Sequence, residues 1–261
     1  MLQVLSALKG YGVEASDGGV GTINDFLFDD RGWKVRWLVV DTGTWLTGRK
    51  VLVHPQAIER TDYEQAELRV KLTKAQVEGS PDILEDQPVS RQLERQTYDH
   101  YGWDPLLNGS FLGATPGAIA APLSAPPYFS LDMAHESADA GPALREGDPH
   151  LRSFAEFVGY HIHAVDGDIG HVENFIVDSA SLDIRYLIVD TGHWWLEKPV
   201  LMSLQAVKEI NWFDRHVQLD VTRGQVKASP PWDPLELMDQ AYMKRLHGHY
   251  GWLGMGRWPG A

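Results

Sequence analysis

Two Asp-Thr-Gly triplets are the residues with the most evident chemical potential in this sequence. Asp41 begins the first, in LVVDTGTWL, and Asp190 begins the second, in LIVDTGHWWL. In a two-lobed aspartic protease, two such strand-ending carboxylates meet and share one proton, because both cannot ionise at hydrogen-bonding distance. The alternative is structural: the aspartate accepts backbone N–H groups as its strand ends, and Gly43 or Gly192 allows the positive φ that turns the chain.

The surrounding residues favour the structural turn. A protease of this kind needs a hydroxyl side chain directly after each triplet, which Thr44 supplies and His193 does not. No P-loop, dinucleotide-binding glycine pattern, serine nucleophile elbow or HExxH motif is present. We therefore predict that the protein is not an enzyme and that each triplet forms an independent structural turn, with the residues Asp41, Gly43, Asp190 and Gly192.

The triplets belong to a duplication that covers most of the chain. They lie 149 residues apart (190 − 41), and the same offset holds over some ninety residues, of which about a quarter are identical. Each copy is therefore one structural unit. The matched pairs include Gly21 with Gly170, Phe26 with Phe175, Arg36 with Arg185, Trp45 with Trp194, and His100–Trp103 with His249–Trp252.

We predict a first unit over residues 1–103, a Pro-, Gly- and Ala-rich linker over 104–150, and a second unit over 151–261. The linker contains a run without charged residues, from Pro105 to Leu131, that is long enough to cross a bilayer. This run holds five prolines, which would leave backbone groups unpaired in lipid, so no transmembrane segment is expected.

Within each unit the hydrophobic pattern is that of β-strands. VGTINDFLFDD runs into an Asp-rich turn, VRWLVVDTG is apolar almost throughout, and KVLVHP and ELRVKL are shorter strands. Several short strands joined by Gly and Asp turns predict a small closed barrel. After Ser229-Pro230 the period becomes helical, through Leu235, Met238, Tyr242 and Leu246, so a short helical tail is expected after each barrel.

These motifs together resemble the PRC-barrel family. The matching features are the DG..GTI.DFLFDD opening, the VRWLVVDTG.WL.GRKVLV centre, the LT..QV..SP segment and the HYGW tail. The resemblance implies a mainly β fold of two tandem small PRC-like β-barrels related by internal duplication, as in stand-alone bacterial proteins with two such barrels. Each barrel would be followed by a short helical tail.

The resemblance also implies a function. The family includes the cytoplasmic domain of the photosynthetic reaction centre H subunit and is known mainly for interaction and assembly, with no catalytic residues to carry over. It therefore implies a non-catalytic protein-interaction or scaffolding module. The alternative it implies, by analogy alone, is a peripheral assembly factor for a photosynthetic-type membrane complex.

Composition limits the partners. With 23 basic and 36 acidic residues the net charge is −13, which disfavours nucleic acid and anionic lipid. The absence of cysteine excludes disulfides and thiolate metal sites, and no cofactor is expected. The start, MLQVLSALKGYG, lacks a signal-peptide pattern, so we expect a cytoplasmic location. A protein partner or self-association is expected, and peripheral contact with a membrane complex stays open.

Tryptophans are the candidate interaction residues. Two positions recur in both copies, Trp45 with Trp194 and Trp103 with Trp252, and Trp195 is an added neighbour. Tryptophan at such positions serves either the core or an interface, where its apolar bulk and single polar group meet a partner. Both interpretations stay open for these five residues.

Histidines on the strands and tail of the second unit could hold a metal. His161 and His163 would share one strand face, and His247 and His249 form a similar pair. The first-copy equivalents of His161 and His163 are Gly12 and Glu14. The duplicated architecture does not use these histidines, so no metal site is expected.

Overall fold

The structure is a computed structural model and describes residues 1–46, 48–80, 100–101, 150–192, 199–233 and 240–252. The described elements of the first repeat are β1 (Leu2–Val4), β2 (Gly12–Ala15), β3 (Gly18–Asp29), β4 (Lys34–Asp41), β5 (Lys50–Val53), β6 (Ile58–Asp62), β7 (Glu67–Val70) and α1 (Lys74–Glu78). Those of the second repeat are β8 (Leu151–Ser153), α2 (Phe154–Phe157), β9 (His161–Ala164), β10 (Gly167–Asp178), β11 (Ile184–Asp190), β12 (Val200–Ser203), β13 (Val207–Asn211), β14 (His216–Leu219), α3 (Arg223–Lys227) and α4 (Gln240–Tyr250). Short 3₁₀ turns follow β1, β5 and β12.

Each repeat folds into the same curled sheet. The strand order is β5-β4-β3-β2-β7-β6 in the first repeat and β12-β11-β10-β9-β14-β13 in the second. Neighbouring strands are antiparallel except for the parallel pairs β2–β7 and β9–β14. The long strand β3 pairs with β2 through its first half and with β4 through its second half, which curls the sheet. The predicted mainly β fold of two repeated barrel units is confirmed.

The first strand of each repeat crosses to the sheet of the other repeat. β1 pairs antiparallel with β10, and Leu2 lies opposite Asp178. β8 pairs antiparallel with β3, and Ser153 lies opposite Leu27. The units predicted over residues 1–103 and 151–261 therefore each place their first strand in the sheet of the other, which the prediction of two separate barrels did not include. Of the predicted linker, all but residue 150 lies outside the described residues.

A single buried core runs through both repeats. At its centre, the ring of Phe28 stacks on Trp33 with centroids 5.7 Å apart. The rings of Phe157 and Phe175 contact the Phe28 ring edge-on, with centroids 5.7 and 5.2 Å from its own. Aromatic pairs of this geometry add about 0.5–1.5 kcal/mol to the effect of burial alone. Residues of both repeats thus contribute to one hydrophobic centre.

The helical tail covers the outer face of the second sheet. In α4, Tyr242, Met243 and Leu246 are buried against an apolar surface that includes Ile188. The helix ends at Tyr250 and is followed by Gly251, whose φ of +71° is the left-handed conformation common after a helix C-terminus. The predicted tail positions Leu235 and Met238 lie outside the described residues. No helix in the described part of the chain is long and apolar enough to span a membrane.

Candidate functional site

The first Asp-Thr-Gly triplet closes β4 as a tight turn. Asp41 Oδ1 accepts the N–H of Gly43 at 2.8 Å, and Gly43 has a φ of +54°. The hydroxyl of buried Thr42 donates to the carbonyl of Arg49 at 2.7 Å, which joins the two arms of the turn. This arrangement is an Asx turn, in which the aspartate replaces a backbone acceptor.

The second triplet repeats this geometry. Asp190 Oδ1 accepts the N–H of Gly192 at 2.7 Å, and Gly192 has a φ of +64°. Asp190 Oδ2 lies 3.5 Å from Nε2 of His171, on the neighbouring strand. Partial desolvation raises the pKa of Glu173 nearby, and the negative charge of Asp190 raises it further. One oxygen of Asp190 therefore serves the turn, and the other faces His171.

The two aspartates lie at the far ends of two strands that diverge from one junction. Lys34 and Asp183, next to the starts of β4 and β11, form an antiparallel bridge, so the two strands leave this junction in opposite directions. Each aspartate lies about seven residues further on, roughly 20 Å away at the rise of a β-strand. No hydrogen bond or ion pair joins Asp41 to Asp190 in the described part of the chain. These two carboxylates do not form a dyad that shares a proton.

A glycine on the adjacent strand allows each turn to pack closely. A Cβ atom at Gly21 would lie 2.0 Å from the carbonyl oxygen of Asp41, and one at Gly170 would lie 1.9 Å from that of Asp190. Real side chains do not approach backbone atoms so closely. The recurrence of Gly21 and Gly170 in the duplication is therefore a steric requirement of the two turns.

Two of the five candidate tryptophans lie in the described residues, and both pack against their own chain. Trp45 is half-buried against the core, and Lys74 Nζ lies 4.5 Å above its ring. Trp252 stacks on Tyr250 with centroids 4.1 Å apart and an interplanar angle of 11°. The candidates outside the described residues are Trp103, Trp194 and Trp195. An interface role for the five tryptophans stays a prediction.

The strand histidines of the second repeat form a surface cluster. The rings of His163 and His216 lie 3.9 Å apart, and Nε2 of His163 pairs with a carboxylate oxygen of Asp168. Burial lowers the pKa of His216, and the adjacent His163 lowers it further. His161 is exposed on the same strand, β9. Among the described residues, no group of three His, Cys, Asp or Glu side chains could hold a metal ion.

The tail histidines make intramolecular hydrogen bonds. His247 Nε2 and the hydroxyl of Tyr186 are 2.7 Å apart. Nε2 of His249 donates to the carbonyl of Gln225 in α3 at 2.7 Å, and Nε2 of His100 donates to the carbonyl of Gln76 in α1 at 2.6 Å. The histidine of each HYGW tail therefore fixes that tail to the short helix of its own repeat.

The seam between the repeats is the feature that sequence reasoning missed. We use "seam" for the exchanged segments, residues 1–8 and 150–157, together with the strands β3 and β10 that receive them. In each segment two apolar side chains three positions apart are buried, Leu5 and Leu8 in one and Phe154 and Phe157 in the other. The matching patterns LQVLSAL and LRSFAEF, at the offset of the duplication, were the available signal.

A polar side chain of each receiving strand caps the exchanged segment. Asp25 Oδ1 accepts the N–H of Ala155 at 3.0 Å, and Oδ2 accepts the hydroxyl of Ser153 at 2.6 Å. At the equivalent position, Asn174 Oδ1 accepts the N–H of Ser6 at 3.3 Å and its amide donates to the Ser6 hydroxyl at 2.6 Å. A carboxylate and an amide thus fill the same structural role.

Electrostatics differ between the two halves of the seam. Asp30 holds His150 Nδ1 at 2.9 Å and Arg152 Nε at 3.1 Å. The guanidinium of Arg152 also lies 4.2 Å above the ring of Trp212, a cation–π geometry. In the other half, the hydroxyl of Tyr63 donates to Gln3 Oε1 at 2.9 Å instead. The amino group of Met1 also lies 3.9 Å from Asp178 Oδ2 in this half. Each half thus has a charged contact with the receiving sheet, made by the Arg152 side chain in one and by the Met1 amino group in the other.

A surface cavity opens beside the seam. It is lined by residues of both repeats, among them Lys34, Arg36, His54 and Ser181. Burial lowers the pKa of His54 to about 3, and the positive charges of Arg36 and Lys34 contribute to this shift. Nδ1 of the neutral imidazole accepts the N–H of Gln56 at 3.2 Å. His54 is therefore a neutral structural residue at physiological pH.

Sequence reasoning also missed an exposed aromatic residue. Phe213, in the turn between β13 and β14, is 95% exposed. Its counterpart in the first repeat at the common offset is Glu64. A comparison of the two copies for positions that change from charged to apolar would have identified it.

Comparison with protein families identifies a related domain. A family model described as the PRC-barrel domain matches residues 5–77 and 151–226, once in each repeat and over more than half of the chain. No curated protein matches the chain. The two matched regions coincide with the two curled sheets.

Proposed function

The chain belongs to the PRC-barrel domain family, and from this premise we propose that it is a non-catalytic protein-interaction or scaffolding module built from two PRC-like barrels. One observation carries the proposal: the duplicated polar motif is used for chain reversal in each repeat. Asp41 and Asp190 each bond to their own turn. The function then depends on surfaces presented by a rigid body.

The shared core supports this mechanism. Because the exchanged strands and the aromatic centre tie the repeats together, their surfaces keep a fixed relation. A partner that contacts such a preorganised surface loses less conformational entropy on binding. Two joined barrels can therefore present one continuous docking surface.

The turn between β13 and β14 is the surface most suited to a protein partner. Phe213 is 95% exposed and follows half-buried Trp212. The first repeat carries Tyr63 and Glu64 at these positions. Since the copies otherwise share their architecture, the change from charged Glu64 to exposed Phe213 supports a binding role specific to the second repeat.

A capture experiment with matched variants tests this function. Purified protein is cross-linked in lysate from the native host, and the captured proteins are compared between wild type and variants. We expect Phe213→Glu, which installs the first-repeat residue, and Trp45→Ala or Trp195→Ala to lose a specific partner. The control Val165→Ser also replaces an exposed apolar residue by its first-repeat counterpart and should retain the partner. Equal capture by all variants would contradict the proposal.

The proposal excludes catalysis by the two aspartates, and this has its own test. Denatured protein substrates are incubated with the wild type at acid pH. We expect no cleavage. Cleavage that disappears in both Asp41→Asn and Asp190→Asn would support an aspartic protease instead.

The narrower alternative, a peripheral assembly factor for a photosynthetic-type membrane complex, is decided by the same capture experiment. It requires membrane-complex subunits among the partners that Phe213→Glu loses. Cell fractionation tests the expected cytoplasmic location at the same time, because a peripheral factor would distribute between soluble and membrane fractions.

A further inference from the structure

The two exchanged segments dock in the same way although their sequences differ. Residues 2–8 are LQVLSAL and residues 151–157 are LRSFAEF, and only the first leucine is common to both. Each segment adds an antiparallel strand to the other sheet and then forms one helical turn with two buried apolar residues. Docking on the receiving strands therefore requires a segment that can pair as a strand and that carries two apolar side chains three positions apart. It does not require one particular sequence.

The contacts beside the seam, between the segments that follow β3 and β10, are reciprocal, as in an interface between two identical subunits. The N–H of Val35 donates to the carbonyl of Leu182 at 3.1 Å, and the N–H of Ile184 donates to the carbonyl of Trp33 at 2.7 Å. These bonds are related by the duplication, since Val35 corresponds to Ile184 and Trp33 to Leu182. A surface that pairs with its own copy is the property that closes a two-fold dimer.

The connection between the repeats is long. Residues 102–149, a total of 48 (149 − 101), separate the described Tyr101 from His150. Every seam contact described above is made by residues outside this stretch. We call residues 102–149 the tether, because they join the two repeats in one chain, and the described seam contacts do not use them.

We propose that the seam is a self-contained recognition surface, through which the first repeat of one molecule also pairs with the second repeat of a second copy. Such an exchange replaces each contact within a chain by an identical contact between chains. The tether then decides the outcome, since it holds the repeats at an effective concentration on the order of millimolar. At micromolar concentration the two repeats of one molecule pair with each other and the protein is a monomer. Refolding at high protein concentration yields a dimer in which the repeats pair between molecules. This inference does not depend on whether the protein binds another partner.

Cleavage of the tether in the full-length protein tests the proposal. A protease site is introduced after Ala120, and batches with light and heavy isotopes are cleaved, unfolded together, refolded and measured by native mass spectrometry. We expect one-to-one complexes of the two halves at micromolar concentration, about half of them of mixed isotope. Halves that separate or fail to reassemble would overturn the proposal.

Variants at neighbouring positions provide the control. Phe157 is 1% exposed and Val158 is 38% exposed. We expect Phe157→Ala to weaken the association of the cleaved halves at least a hundredfold, as removal of a buried aromatic side chain does. Val158→Ala should leave it unchanged. Equal affinity of both variants and wild type would show that the seam is not the recognition surface. Should Phe157→Ala fail to fold, the cleaved wild type still decides the question.

Discussion

At the residue scale, each strand-ending turn is built from an aspartate and a distant glycine. The aspartate role was predictable because an Asx turn is local: Asp41 and Gly43 are two positions apart, and their hydrogen bond follows from residue type. The requirement at Gly21 was not predictable, because it arises from the approach of β4 to β3, which only the folded sheet creates. The duplication marked Gly21 as a recurring residue without giving the reason.

Substitution of these glycines tests the close approach. We expect Gly21→Ala and Gly170→Ala each to destabilise the protein by about 3 kcal/mol or more, since the added methyl group would displace a backbone carbonyl. Gly248→Ala is the control, because no atom lies within 4 Å of its Cβ position in α4. Alanine should stabilise that helix by up to about 1 kcal/mol. Urea denaturation measures all three, and equal stability of Gly21→Ala and wild type would contradict the steric account.

His54 gives the molecule a specific acid sensitivity. Its pKa falls from 6.5 in the unfolded chain to about 3 in the folded protein, chiefly through burial. As the pH drops below 6.5, the unfolded state therefore binds a proton that the folded state does not. Stability is complete above this pH and falls by up to about 1.4 kcal/mol per pH unit until the folded pKa is reached.

Replacement of His54 by its second-repeat counterpart tests this. Ser203 occupies the equivalent position, and its hydroxyl accepts the N–H of Gln205 at 3.2 Å, so His54→Ser keeps the turn. We expect the unfolding free energy of His54→Ser to decrease less steeply than that of the wild type between pH 6.5 and 4. This difference in slope is expected even if the variant is less stable at pH 7. The exposed control His161→Gln should retain the wild-type slope. An unchanged slope in His54→Ser would assign the acid sensitivity to other groups.

At the element scale, the strands within each repeat were predictable and the strand exchange was not. β4 contains an apolar run of several residues, which predicts a strand buried on both faces, as found. β1 and β8 are three residues long, too short for a hydrophobic period to appear. Their partners lie more than a hundred residues away in sequence, and only the folded core brings them together.

The caps of the exchanged segments give a prediction at this scale. Asp25→Ala and Asn174→Ala should each destabilise the protein by about 1–2 kcal/mol, because each removes two hydrogen bonds to an incoming segment. Asp25→Asn should lose less, since Asn174 performs the same role with an amide. The exposed neighbour Asn24→Ala is the control and should change stability by less than about 0.5 kcal/mol. Thermal unfolding measures the stability of each variant. An Asp25→Ala variant as stable as Asn24→Ala would contradict the capping role.

At the scale of the whole molecule, duplication and exchange make one body from two similar units. The resemblance to the PRC-barrel family was readable from the sequence because its motifs are local and occur twice. The contact between the copies was not, because Phe28 and Phe175 are ordinary core residues of their strands and Phe157 lies in a helix of one turn. The change from Glu64 to Phe213 was readable from the sequence, whereas the exposure of the Phe213 side chain required the fold.

The most direct test of the account measures whether the two repeats unfold together. Hydrogen exchange in increasing denaturant is followed separately in β3 of the first repeat and β10 of the second, for wild type and Phe157→Ala. Since Phe157 belongs to the second repeat and packs against Phe28 of the first, the substitution should lower the opening free energy of both strands by the same amount, about 3–5 kcal/mol. Loss of protection in β10 alone, with β3 unaffected, would contradict an interlocked molecule.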